Sequence, residues 1–182
     1  GLSALGRQQA TALRDRLKKT SEIRAAALYC STLPRAVQTA EIIAPALGLE
    51  PRASAELCEW ESGNNLLGIE AFTQIFDALD PTARRQHRFA EGFETIAEFT
   101  TRVQRKLQQM VAEHDGGTIV LVVHGGVVEA AFAYFLGYGP GLFEGGYPAA
   151  GFTSITHWRR SRPHGEWVLE LANDTHHLRE QG

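Results

Sequence analysis

Methionine and cysteine are scarce in this 182-residue chain, and neither sign of charge prevails. Two cysteines, Cys30 and Cys58, are too few for a disulfide scaffold or a cysteine metal centre, so both read as reduced thiols. With 18 basic against 21 acidic side chains the net charge is −3. That balance argues against a nucleic-acid binder and against a disordered acidic tail. Long hydrophobic runs are absent too. The longest purely aliphatic one, Ile119–Val123, falls far short of the ~20 residues of a membrane span. The single methionine, Met110, is internal and the chain opens at Gly1, so further residues are expected upstream, and the lack of a signal peptide says little about compartment. A cytoplasmic protein is the default expectation.

What is present is an ordinary globular mixture, 43% hydrophobic and 21% charged, of a size that suits a single domain over residues 1–182. Leu2, Gly6, Ala10, Leu13 and Leu17 recur at helical spacing behind Ser3, a candidate N-cap. The apolar stretch from Ala25 to Cys30 is short enough for a buried strand. Pro34 then opens a second helix with Ala36, Ala40, Ile43 and Leu47 on one face. A loop and a short helix around Phe72–Leu79 are expected next. The spacing of Ile96, Phe99, Val103, Leu107, Met110 and Val111 predicts a long amphipathic helix over Thr95–His114.

Thr118 to Val123 reads as a fully buried strand, which breaks at His124-Gly125-Gly126 into an apolar helix ending near Gly137. Gly137 to Gly151 reads as a loop carrying Tyr138, Phe143 and Tyr147. Phe152–Trp158 and Trp167–Ala172 read as strands joined by a turn containing Pro163. Short buried strands alternating with helices predict a three-layer α/β/α sandwich around a mostly parallel central sheet. Such a domain seldom opens on a helix without its partner strand, so a first strand is expected before Leu2.

Ligands of open α/β sheets gather where strand ends turn into helices. Two turns here carry reactive groups. Ser31-Thr32-Leu33-Pro34-Arg35 offers backbone amides, a helix dipole and a guanidinium, all suited to an anion. His124-Gly125-Gly126 sets an uncrowded imidazole at a second helix start. If both open on one sheet edge, arginine and histidine make a phosphate pocket. Sharper motifs fail. Cys30 to Arg35 is one residue too short for a cysteine phosphatase loop, and no P-loop, nucleophile elbow or zinc-protease helix occurs. His176 and His177, taken as extended chain, would point to opposite faces and share no metal. The basic run Arg84-Arg85-Gln86-His87-Arg88 is either a solvated surface or a patch steering anions.

In order along the chain, six segments resemble motifs of the histidine phosphatase superfamily, which includes the phosphoglycerate mutases. They are Leu2–Ala10, Ser31–Glu41 with Arg35-Ala36-Val37-Gln38-Thr39-Ala40, Leu57-Cys58-Glu59 with Gly63, Gly92/Glu94/Arg102, Val123-His124-Gly125-Gly126, and Asn173–Leu178. The resemblance implies a two-step phosphoryl transfer through a phosphohistidine, without metal or organic cofactor. Under it, Arg35, His124 and Gly125 bind the phosphoryl oxygens, and His124 also donates to them as charge builds. Glu59 protonates the leaving alkoxide and then activates water, with Glu61 the alternative acid. The implied partners are a small phosphorylated substrate and, as product, inorganic phosphate. Nucleic acid and membrane are not expected, and the oligomeric state stays open. The family's arginine–histidine–glycine nucleophile motif is missing. The nearest approach, Arg162-Pro163-His164-Gly165, is interrupted by proline. The nucleophile is therefore expected upstream of residue 1. A phosphatase leads, with a mutase or an inactive phosphate binder as alternatives.

Overall fold

The structure, a computed structural model, describes residues 1–138, 146–161 and 164–181. Phe143 and Pro163, and with them the middle of the expected 137–151 loop and the 162–163 turn, lie outside the described residues.

Helix α1 spans Ala4–Thr20 because Ser3 accepts the Gly6 amide at its start, and because Ala10, Leu13 and Leu17 give it a face to bury. Strand β1, Ala27–Ser31, is buried at every residue. Pro34 starts α2, Pro34–Leu47, where its fixed φ and missing N–H cost nothing. Pro45 is tolerated in the last turn, and Gly48 at φ 67° closes the helix. A strand not anticipated from the sequence, β2 at Pro51–Ser54, leads through a 3₁₀ turn at Ala55–Leu57 into the Cys58–Gly63 loop.

Between that loop and residue 86 the expected single helix is three short ones: α3 at Asn64–Leu67, α4 at Ile69–Ala78 and α5 at Pro81–Gln86. Gly68, at φ 80°, separates the first two. Helix α6, Ile96–Glu113, begins with a capping box in which Thr95 and Glu98 satisfy each other's backbone N–H. Strand β3 is Ile119–Val122, and α7 is Gly125–Phe135. Strands β4, Ile155–Arg160, and β5, Trp167–Asp174, form an antiparallel hairpin before a closing 3₁₀ turn at His176–Gln181.

The central sheet runs β2-β1-β3, all parallel, with Cys30 paired to Ala53 on one side and to Val122 on the other. Alternation along the strands sorts the core. Leu28, Val120 and Val122 pack with Leu13, Leu17 and Ile43 of α1 and α2. Ala27, Tyr29, Ile119 and Leu121 pack on the opposite face with Leu57 and Met110. A further cluster of Phe99, Val103, Leu107, Val127 and Ala130 joins α6 to α7. Helices thus cover both faces, giving the α/β sandwich. As expected of two strands joined by a turn, β4 and β5 pair with each other, in a two-stranded sheet of their own. One expectation needs correction. β3 is only partly buried, because among the described residues it has one bonded neighbour, β1. Among the described residues, no helix is long and apolar enough to cross a membrane.

Candidate active site

Because β1 and β3 are parallel neighbours in register, the turns that leave them open on the same sheet edge. The first turn carries Arg35 into α2 and the second carries His124 to the cap of α7. The Arg35 Nε donates to His124 Nδ1 at 3.2 Å, across 89 residues of sequence. His124 is buried, whereas Arg35 reaches solvent. On its other side the imidazole meets Ser31, whose Oγ lies 2.6 Å from Nε2. Ser31 is wholly buried and its Oγ also accepts the Leu33 amide at 3.3 Å. Burial first, and the Arg35 charge second, hold His124 down at a pKa of about 4, so the ring is neutral at pH 7.

Glu59 closes the third side. Its Oε2 accepts the Gly126 amide of α7 at 3.0 Å, and its Oε1 accepts the Trp60 amide at 2.9 Å. The helix start suits a carboxylate because its amides lack intrahelical acceptors. The first of them, Gly125 N–H, lies beside the imidazole at the first position of α7. Gly126 has to be small here: a Cβ would overlap Glu59 Oε1 and lie 3.2 Å from Phe99 Cζ. The Glu59 loop is bracketed from α6 by Arg102, which donates to Glu56 O at 2.7 Å and Cys58 O at 3.2 Å while ion-pairing with Glu94. Trp60 Nε1 donates to Glu94 O at 2.9 Å, and Cys58 Sγ lies 3.1 Å from Thr32 Oγ1 of the first turn. Glu94 and Arg102 therefore hold the loop that carries Glu59.

Glu61, by contrast, is exposed. Glu129, one turn along α7 from Gly126, is half-buried, and burial together with the neighbouring Glu59 raises its pKa. Arg84 and Arg88 are not a free steering patch. Arg84 donates to Phe76 O and Leu79 O and stacks 4.1 Å over the Phe76 ring, while Arg88 holds Phe93 O and Glu98. Cys30 is buried within β1, and burial raises its thiol pKa. His176 and His177 sit in a 3₁₀ turn rather than extended chain, with His177 Nε2 3.0 Å from Thr153 Oγ1. The arrangement brings together Arg35, His124, Gly125 and Glu59. Sequence reasoning missed Ser31 as the partner of His124 and Gly126 as the seat of Glu59. A lone serine ending an apolar strand and a second glycine after the histidine were the only signals.

Known proteins resemble this chain in sequence and in fold. The family model of the histidine phosphatase superfamily (branch 1) matches residues 1–175. A phosphoglycerate mutase-like protein 4 of Arabidopsis thaliana is 30% identical, over 100% of this chain and 77% of its own. A metal-independent phosphoserine phosphatase of the same plant is 26% identical, over 100% of this chain and 74% of its own. Among solved structures, a mycobacterial glucosyl-3-phosphoglycerate phosphatase in complex with inorganic phosphate superimposes with a TM-score of 0.75. It is 25% identical, and the match covers 97% of this chain and 88% of that one.

Proposed function

We propose, since this chain belongs to the histidine phosphatase superfamily, that it hydrolyses small phosphomonoesters through a phosphohistidine. The observation that carries the reading is the meeting of Arg35 and His124 at one sheet edge, with the Glu59 carboxylate seated two residues beyond the imidazole. Arg35, His124 and the Gly125 amide take the phosphoryl oxygens and offset the charge that develops on them, which is most of what this transfer needs from a protein. A histidine from chain preceding Gly1 supplies the nucleophile. In support, the Leu2 amide donates to Gln38 Oε1 at 2.7 Å, one turn of α2 beyond Arg35, which ties Leu2 to the helix that carries Arg35.

In the first step the nucleophilic nitrogen bonds to phosphorus, the ester P–O bond breaks, and Glu59 gives its proton to the leaving alkoxide. In the second, the Glu59 carboxylate takes a proton from water, the oxygen attacks phosphorus, and the P–N bond breaks to release inorganic phosphate. The relatives point to small, carboxylated phosphometabolites as the first substrates to assay. The test is hydrolysis of p-nitrophenyl phosphate by the full-length protein, with and without EDTA. Turnover unaffected by EDTA and lost in His124→Ala is expected, and full activity in His124→Ala would refute the assignment. Glu59→Gln should slow alkyl phosphates more than p-nitrophenyl phosphate, whose leaving group needs no proton. Equal slowing of both would point instead to Glu61 as the acid or to a purely structural role for Glu59.

A further inference from the structure

His124 touches two partners with opposite demands, and together they leave it one neutral form. A guanidinium only donates, so the Nδ1 that accepts Arg35 Nε carries no hydrogen. The hydrogen of the neutral ring is therefore on Nε2, and it points at Ser31 Oγ, 2.6 Å away. Ser31 cannot turn aside. It is the last residue of β1, has no exposed surface, is in register with Ser54 of β2, and its Oγ also receives the Leu33 amide. Nδ1 is thus the nitrogen on the side of the exposed arginine, where an anion arrives.

We propose that Ser31 is a positioning residue that keeps the hydrogen of His124 on Nε2, so that phosphate binding is coupled to uptake of a proton at Nδ1. The inference rests on the phosphate-site reading above. When a phosphoryl group draws the Arg35 guanidinium onto its own oxygens, Nδ1 loses its donor and faces an anion. It can then donate only if protonated. The proton comes from solvent when the arriving phosphate is a dianion; a monoanion brings it in with the ligand, so net uptake is read on the dianion. The ring becomes an imidazolium, and the Ser31 acceptor still holds Nε2–H. No proton has to leave Nε2 at any stage. Arg35 is the charge that bears on the ring in the free site; from the α7 side the nearest ionisable groups are Glu59, on the Gly126 amide, and Glu129 beyond it.

The test uses full-length protein labelled with ¹⁵N-histidine and titrated with inorganic phosphate, comparing wild type with Ser31→Ala and Ser31→Thr. Free wild type at pH 7 should show His124 with a hydrogen-bearing Nε2 and a bare Nδ1. Saturation with phosphate should convert both nitrogens to the hydrogen-bearing form, and calorimetry at a pH where free phosphate is the dianion, in buffers of different ionisation enthalpy, should report uptake approaching one proton. Ser31→Ala removes a hydrogen bond to a charged ring, so phosphate should bind about 10- to 100-fold more weakly at pH 7. Its binding should also fail at lower pH than in wild type, and Ser31→Thr, which keeps the hydroxyl, should restore both. A hydrogen on Nδ1 in the free protein, phosphate binding without proton uptake, or an alanine variant that binds more weakly with an unmoved pH profile would each overturn the proposal. None of these readouts needs turnover. A protein that binds phosphate with proton uptake yet hydrolyses no ester would refute the hydrolase reading and leave the role of Ser31 standing.

Discussion

Gly126→Ala tests the seat of the Glu59 carboxylate on the first turn of α7. The new Cβ would overlap Glu59 Oε1 and press on Phe99 Cζ at 3.2 Å. Glu59 is the flexible partner, so its carboxylate has to withdraw by about 1 Å and release the Gly126 amide, now accepted at 3.0 Å. A hydrogen bond to a charged group contributes about 1.5–3 kcal/mol, and a displacement of that size in a reacting group can cost about 10²-fold in rate. The helix itself gains. Gly126 is not among the glycines at positive φ, and alanine is favoured over glycine by up to about 1 kcal/mol in a helix. The released hydrogen bond outweighs that gain by roughly 0.5–2 kcal/mol, so Tm should fall by about 1–8 °C. The assay is a thermal melt beside kcat for two substrates, an alkyl phosphate and p-nitrophenyl phosphate. About a 10²-fold loss on the alkyl phosphate and a clearly smaller loss on the nitrophenyl ester is expected. Wild-type kcat on the alkyl phosphate, or equal losses on both, would refute the placement of the acid on this amide.

Arg35→Met should weaken binding of inorganic phosphate by about 10- to 100-fold in calorimetry, since it deletes a charged donor, while the fold melts near the wild-type temperature because the side chain is exposed. The depressed pKa of His124 makes stability depend on pH. The unfolded ring titrates near 6.5 and the folded one at about 4, so this group's contribution is complete above pH 6.5 and is lost as pH falls toward 4. The slope is at most about 1.4 kcal/mol per pH unit, and His124→Gln should flatten it in urea melts between pH 7 and 5. Arg16 on α1 pairs with Asp174 at 2.6 Å and with Glu22 at 2.7 Å, clasping the end of β5 to the first helix. Arg16→Met should cost about 1–3 kcal/mol in the same melts without changing phosphate affinity, because the clasp lies outside the site.

Elements that carry their own punctuation were legible in the sequence. Ser3, Pro34 and Thr95 mark helix starts by local chemistry, and the long repeat of α6 leaves one choice of period. β2 was not legible, because Pro51-Arg52-Ala53-Ser54 has no apolar alternation and becomes a strand only by pairing with Leu28–Ser31. Of the three helices after Gly63 only α4 was legible, as a short helix around Phe72–Leu79; α3 and α5 span four and six residues, too few to show a helical period. At the site, Arg35 and His124 stood out because each follows a strand end. Ser31 and Gly126 did not, since their roles arise from tertiary register. The basic run at 84–88 stayed open between surface and steering patch, because sequence cannot show that Arg84 and Arg88 are already occupied by carbonyls of their own neighbourhood.

The β1–β3 ladder joins residues as distant as Leu28 and Val120, with all of β2 and α2 to α6 between them. Closing so long a loop is slow relative to forming the helices it encloses, and a parallel pair has no hairpin turn to guide it. Arg35 and His124 meet only when that closure is complete, so an anion that bridges them binds the finished chain and no earlier state. Under the proposed function, inorganic phosphate is then a late folding clamp. It raises the apparent stability by RT ln(1 + [phosphate]/Kd), so the product of the proposed reaction also protects the protein against unfolding.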